Sequence, residues 1–325
     1  MDQVGLFGSP PPPVEPAPTD AETRALAERL PRALRLGTSS WTFPGWKGLV
    51  YDREAKSSVL AEHGLAAYGK HPLFRTVGVD RTFYKPEPAS LYKRYADAVP
   101  ADFRFLVKAS EDCTLARYPD IARYGKRAGQ KNDRFLDPGW ALDQVVGPWA
   151  EGLRDKAGPL LFQLPPQNPA AFGGPRHFAT LVHRFFDALP PPPPTGFYAL
   201  EVRNPELLTP TLGTALTMHG AVPALVLHPR MPDLRSQWAR LRMPKEGPVV
   251  VRWMLQRGLD YETARKRFAP FDTLAAPDDR SRETLARLAR AMDEAHRPTW
   301  IIVNNKAEGS SPISVRRLAE AIAGC

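Results

Sequence analysis

The chain has 325 residues, 43% of them hydrophobic and 24% charged, with 44 Lys and Arg against 35 Asp and Glu for a formal net charge of +9. This composition suits one large globular core and excludes disordered, fibrous and disulfide-framework classes, since Cys113 and Cys325 stand alone and fit a reducing compartment. No apolar run approaches the ~20 residues of a membrane span, and the opening Met1-Asp2-Gln3-Val4-Gly5 lacks the basic and apolar regions of a signal peptide, so a cytoplasmic location without a membrane partner is expected.

Residues 1–32 read as a flexible Pro-rich tail and 33–325 as a single domain. The segment 9–18 is extended and poor in core formers, so it is expected not to pack. Residues 20–30 read as a short helix, capped by Asp20, with Thr23, Leu26, Ala27 and Leu30 on one face. At the start, Gln3, Leu6 and Phe7 fit the pattern Gln-x-x-Leu-Phe. That pattern is similar to the peptide with which bacterial proteins dock to the replication sliding clamp, where two apolar anchors and one polar group suffice on a flexible arm.

From residue 33 onward, short apolar runs recur at 34–39, 74–80, 103–108, 160–164, 197–203, 222–228, 249–252 and 300–305, and most end in a polar or charged residue. Helix-like stretches separate them at 58–69, 88–99, 138–157, 175–189, 205–219, 282–296 and 312–323, with a weaker one at 233–241. Several open on Pro, which suits a first turn. Leu285, Leu288, Ala289 and Met292 recur at helical spacing, as core residues do. Strands alternating with helices require parallel pairing, and eight such units predict an α/β chain closed as a (β/α)8 TIM barrel. Two intervals, 111–131 and 256–277, are long and rich in Arg, Lys, Tyr and Asp, as binding walls or ordered decoration would be.

In this fold the chemistry sits at the carboxyl ends of the strands. Residues two apart on a strand share a face. Glu201 and Arg203 therefore point the same way, as do Arg104, Leu106 and Lys108, and Val250, Arg252 and Met254. Lys108, Arg203 and Arg252 can converge on one rim with Asp80 and Glu201, an excess of cations that favours a phosphate or carboxylate. Gln163, Asn304 and Asn305 are candidate orienting amides, and His228 a candidate proton carrier or ligand-binding group. Loop eight with the N-terminus of the last helix is a further candidate phosphate site. Trp41 and Tyr84 belong to aromatic groups near the first two strand ends that would either stack on a ligand or plug the barrel top. A divalent ion on Asp80, Glu201 and His228 finds no support in any HxH, HExxH or CxxC spacing, so neither a metal nor another cofactor is expected. GxSxG, GxGxxG and P-loop motifs are likewise missing from the sequence.

These residues also carry a resemblance. Gly37-Thr38-Ser39-Ser40-Trp41 with Trp46-Lys47-Gly48 and Tyr51, Thr82-Phe83-Tyr84, Phe105-Leu106-Val107-Lys108, Leu161-Phe162-Gln163-Leu164-Pro165-Pro166, Glu201-Val202-Arg203, Val251-Arg252 and Asn304-Asn305 occur in the order of the YecE-like family, domain of unknown function 72. The resemblance runs from about Leu34 to Ala323 and implies a (β/α)8 barrel without an established reaction. The chain departs from that pattern at Gly78, where the family carries an acid, at Asp80, and at Trp253-Met254, where it often carries His-Gly. Three functions fit these observations. The first is an enzyme of hydrolase or isomerase type on a small anionic molecule, with Glu201 as general acid/base, Lys108 as a second catalytic group and the other strand-end residues binding. The second is a nucleic-acid-associated protein docking to a sliding clamp, and the third is a non-catalytic ligand-binding barrel.

Overall fold

A computed structural model describes residues 13–324 of the chain. Among these residues, eight parallel strands close into a barrel in sequential order. They are β1 Leu34–Thr38, β2 Thr76–Val79, β3 Arg104–Lys108, β4 Ala157–Leu164, β5 Phe197–Val202, β6 Val222–Leu227, β7 Val249–Trp253 and β8 Thr299–Val303. Helix α1 Ala21–Arg29 precedes them, and α2 Ser57–Gly69, α3 Ala89–Asp97, α4 Pro138–Ala141, α5 Gly147–Leu153, α6 Gly174–Asp187, α7 Pro210–Thr217, α8 Leu234–Leu241, α9 Tyr261–Phe268, α10 Asp279–Glu294 and α11 Ser311–Ala323 lie between and after them. No helix among the described residues is long and apolar enough to cross a membrane.

Local chemistry sets the helix starts. Asp20, Thr209, Asp233, Asp260 and Asp278 each accept a backbone N–H of the first turn, which satisfies a donor that the helix leaves orphaned. The expected single helix over 138–157 is instead α4 and α5 joined by a π turn, Leu142–Val146. Pro148 has no N–H to continue the ladder, and Gly147 N–H donates five residues back to Leu142. The expected helix over 205–219 forms only from Pro210, after the Thr209 cap, because 205–207 close a separate 3₁₀ turn.

Part of the segment read as a flexible tail packs against the barrel domain. Val14 and Ala17 are buried, Ala17 N–H donates to Val50 O at 2.9 Å, Asp52 N–H donates to Glu15 O at 2.9 Å, and Pro16 bridges Tyr51. Prolines that withhold donors still leave carbonyls and alternate N–H groups for such pairing. Helix α1 forms as its pattern implies, buries Thr23, Leu26 and Ala27, and packs beside α11. Gln3, Leu6 and Phe7 lie outside the described residues.

Two shells of side chains result. Leu106, Leu161, Phe197, Ala199, Val222, Ala224, Val250, Trp300 and Ile302 fill the lower and middle barrel, while the alternate strand residues meet the helices in the larger core. This alternation fixes which strand-end residues point inward. At the β1–β2 seam, the Tyr68 hydroxyl accepts the Thr38 N–H at 3.0 Å and faces the Thr76 carbonyl at 3.1 Å. Tyr68→Phe is expected to orphan both buried groups and cost about 1–3 kcal/mol, read as a lower denaturation midpoint with an unchanged m-value.

Candidate functional site at the strand ends

Above the apolar layers the inward row becomes polar, contributed by β2, β3, β4, β5 and β7. Glu201 is fully buried, and its two oxygens accept from different guanidiniums: Oε1 from Arg203 Nε at 2.7 Å and Oε2 from Arg252 Nη1 at 2.9 Å. Arg252 is only 1% exposed and crosses the barrel interior from β7. Its Nη1 also donates to Gln163 Oε1 at 2.9 Å, and its Nη2 lies 3.7 Å from Asp80 Oδ1. Gln163 Oε1 accepts a longer bond from Arg203 Nη2 at 3.4 Å. Lys108 Nζ lies 3.9 Å from Asp80 Oδ1 and 3.9 Å from the Phe83 ring centroid. The structure therefore brings together Asp80, Lys108, Gln163, Glu201, Arg203 and Arg252.

The electrostatics separate their roles. Burial alone would push the Glu201 carboxyl up, but Arg252 and Arg203 outweigh it and hold it at about 2. A carboxylate so held stays ionised near neutrality and anchors two arginines, a setting that does not suit the general acid/base role expected for Glu201. Each of its oxygens faces a guanidinium, so Glu201 is turned to Arg203 and Arg252 rather than to the Asp80 and His228 considered with it for a divalent ion. For Lys108, burial pulls the ammonium down; Asp80 opposes this, Arg252 and Arg203 add to it, and the result is about 8. Burial, with Arg203 beside it, lowers His228 to about 4, so this imidazole is neutral at pH 7. Its Nδ1 accepts the Arg230 N–H at 3.2 Å, which puts its proton on Nε2.

Beside this cluster a cleft of about 350 Å³ opens between the ends of β5 to β8. Arg203, His228 and Asn304 line it, together with Arg230, Lys306 and Tyr261, which the sequence reading missed. Lys306 Nζ sits 4.2 Å from the Tyr261 ring centroid. Asp260 is the one carboxylate lining this cleft among the described residues, and both its oxygens are spent on Thr263 in capping α9. The long segment after β7 thus supplies a wall. The long segment after β3 instead closes on itself: Glu111 pairs with Arg123 and Tyr124, and Asp112 with Tyr118, Arg127 and Arg134.

Three expected binding residues and one expected anion site stand elsewhere. Trp41 is 3% exposed, donates its indole N–H to Leu60 O of α2 at 3.0 Å and meets the Tyr95 ring of α3 edge-on, so it packs in the core against these helices and does not line the cleft. Asn305 is buried with Oδ1 accepting from Ser311 N–H and Oγ, because adjacent residues at the end of β8 face opposite ways. Those same bonds, with buried Ser310 and Glu308, seal the start of α11 against an anion. Tyr84 is exposed against Arg123, whose guanidinium lies 4.8 Å from its ring, and does not line the cleft. Asn304 does line it, with Oδ1 accepting from Lys306 N–H at 3.0 Å.

The family described as "Protein of unknown function DUF72" matches residues 35–324. The chain belongs to the DUF72 family. Two solved DUF72 structures agree with the barrel. One, from Enterococcus faecalis, has a TM-score of 0.56 at 16% identity over 89% of this chain and 95% of that one. The other, from Thermotoga maritima, has a TM-score of 0.57 at 18% identity over 88% and 98%. No curated protein matches the chain. At such identities the likeness carries the DUF72 fold, and the functional reading falls to the site itself. The departure at Gly78 has a steric counterpart, since a Cβ there would lie 2.8 Å from the Ser39 carbonyl oxygen. In this DUF72 member the backbone at Ser39 lies too close to Gly78 for a side chain of any size without a shift of one strand against the other.

Proposed function

We propose that the chain binds a small phosphorylated or carboxylated molecule in the cleft between the ends of β5 to β8. The supporting observation is the charge of its lining: Arg203, Arg230 and Lys306 face a space whose one carboxylate is committed to a helix cap. Neither Arg230 nor Lys306 belongs to an ion pair among the described residues, and Arg203 shares Glu201 with Arg252. Guanidinium and ammonium donors held without a full complement of carboxylates are suited to an incoming anion. Asn304 and the neutral Nε2–H of His228 add uncharged donors for orientation. Met254, Leu255 and Leu259 complete an apolar side that would take the carbon skeleton.

Titration calorimetry with inorganic phosphate and with phosphoglycolate tests this reading. Lys306→Gln and Arg230→Gln are each expected to weaken binding roughly 10-fold or more, the worth of one charge-assisted hydrogen bond. Affinity should also fall with salt. Equal affinity in wild type and both variants, or equal binding of uncharged glycerol, would remove the anion site.

A further inference from the structure

We propose that Lys108 captures an aldehyde or ketone as a Schiff base, so that the substrate class is a small anionic carbonyl compound. For the anion this deepens the reading above and rests on it; for the amine chemistry it does not. The geometry is that of a reactive amine. Lys108 is 7% exposed, ends β3 on the inward face, and donates no hydrogen bond from Nζ among the described residues. One side of Nζ is the Phe83 ring at 3.9 Å. Another is Asp80 Oδ1, which is itself buried without a hydrogen-bond partner and stands 3.9 Å from Nζ and 3.7 Å from Arg252 Nη2. Two facing polar groups, each short of a partner and too far apart to satisfy one another, are poised around a missing third.

The step balances without an oxidant or reductant. The neutral Lys108 nitrogen forms a bond to the carbonyl carbon, and the C=O electron pair moves to oxygen. Asp80 carries both amine protons to that oxygen in turn: the first gives the carbinolamine, and the second leaves nitrogen as the hydroxyl departs as water and the neutral C=N bond forms. Arg203, at the junction of this cluster and the cleft, would hold the substrate's charged group. A desolvated lysine beside other cations is held partly neutral, which such an attack needs. Burial, with Asp80 opposing and Arg252 and Arg203 reinforcing, brings Lys108 to about 8. At pH 7 that leaves on the order of 100-fold more neutral amine than an ordinary lysine has.

The test is reductive trapping on the full chain. Glyoxylate and its uncharged counterpart glycolaldehyde are each incubated with cyanoborohydride, which delivers hydride to the imine carbon, and adducts are placed by peptide mapping. The expected result is one carboxymethyl group per chain on Lys108, formed roughly 10-fold or more faster than on exposed Lys131, and missing from Lys108→Arg. Because the map is made on the wild type, it decides the matter whether or not that variant folds. Label spread over the lysines with Lys108 no faster than Lys131 overturns the proposal. Should Lys108 remain unlabelled while phosphate still binds the cleft, the Schiff base fails and the anion site stands. Equal labelling of Lys108 by glyoxylate and glycolaldehyde supports the amine chemistry and fails the anion reading.

Discussion

Glu201→Gln is expected to destabilise the protein at pH 7 by about 3–5 kcal/mol, the usual cost of removing one member of a buried ion pair. The reason lies in what remains. Arg252, 1% exposed, would keep only Gln163 and an Asp80 oxygen 3.7 Å away, and Arg203 would lose its 2.7 Å partner. In a chain of this length such a loss lowers the melting temperature by roughly 5–10 °C. The same group makes the effect depend on pH. Its folded value is near 2, below the unfolded value of about 4.3, so its contribution is complete above the unfolded value and fades as pH falls through the folded one. The gap between wild type and variant should therefore narrow from pH 5 to pH 2, by roughly 3 kcal/mol if the shift is carried by this one group. Urea unfolding at the two pH values measures it. A gap that does not change with pH would show that the carboxylate's charge is not what holds the two arginines.

The barrel was legible because period-two alternation and strand–helix succession are local properties of the sequence. The same alternation placed Lys108, Glu201, Arg203 and Arg252 on the inward row, and they meet there with Gln163 and Asp80. Their division of labour was not legible, because a proton carrier and a saturated anchor have the same sequence: what distinguishes Glu201 is two guanidiniums arriving from β5 and β7. Arg230, Tyr261 and Lys306 escaped for a different reason. They stand on segments after strands, where no periodicity fixes direction and tertiary contacts, such as Lys306 over Tyr261, decide it. Asn305 is the instructive contrast. Trp300, Ile302 and Asn304 alternate inward, so the strand period already points Asn305 away from the mouth, and its burial under Ser311 follows.

Gly37→Ala is expected to cost about 3 kcal/mol, the upper end of the penalty for overpacking. A Cβ at this position would stand 1.9 Å from the Thr76 carbonyl oxygen and 2.7 Å from its carbon. Both are backbone atoms of the neighbouring strand, so no rotamer change relieves the contact. The seam it would open is narrow: β1 pairs β2 only at Gly37–Thr76 and Thr38–Val77, while it pairs β8 over five residues. Relief must come from moving β2, and β2 leads directly to Asp80, the carboxylate facing both Lys108 and Arg252. Gly48→Ala provides the comparison, since Gly48 has φ +75° with open space around it and should cost only the roughly 1–2 kcal/mol of a left-handed alanine. The two variants separate close approach from backbone conformation. In Gly37→Ala, instability should come with slower trapping at Lys108, because the base that faces the amine has moved. In Gly48→Ala, trapping should be unchanged. A Gly37→Ala protein within about 1 kcal/mol of wild type would mean that the seam yields without strain, and the close contact of β1 and β2 would then not explain the placing of Asp80.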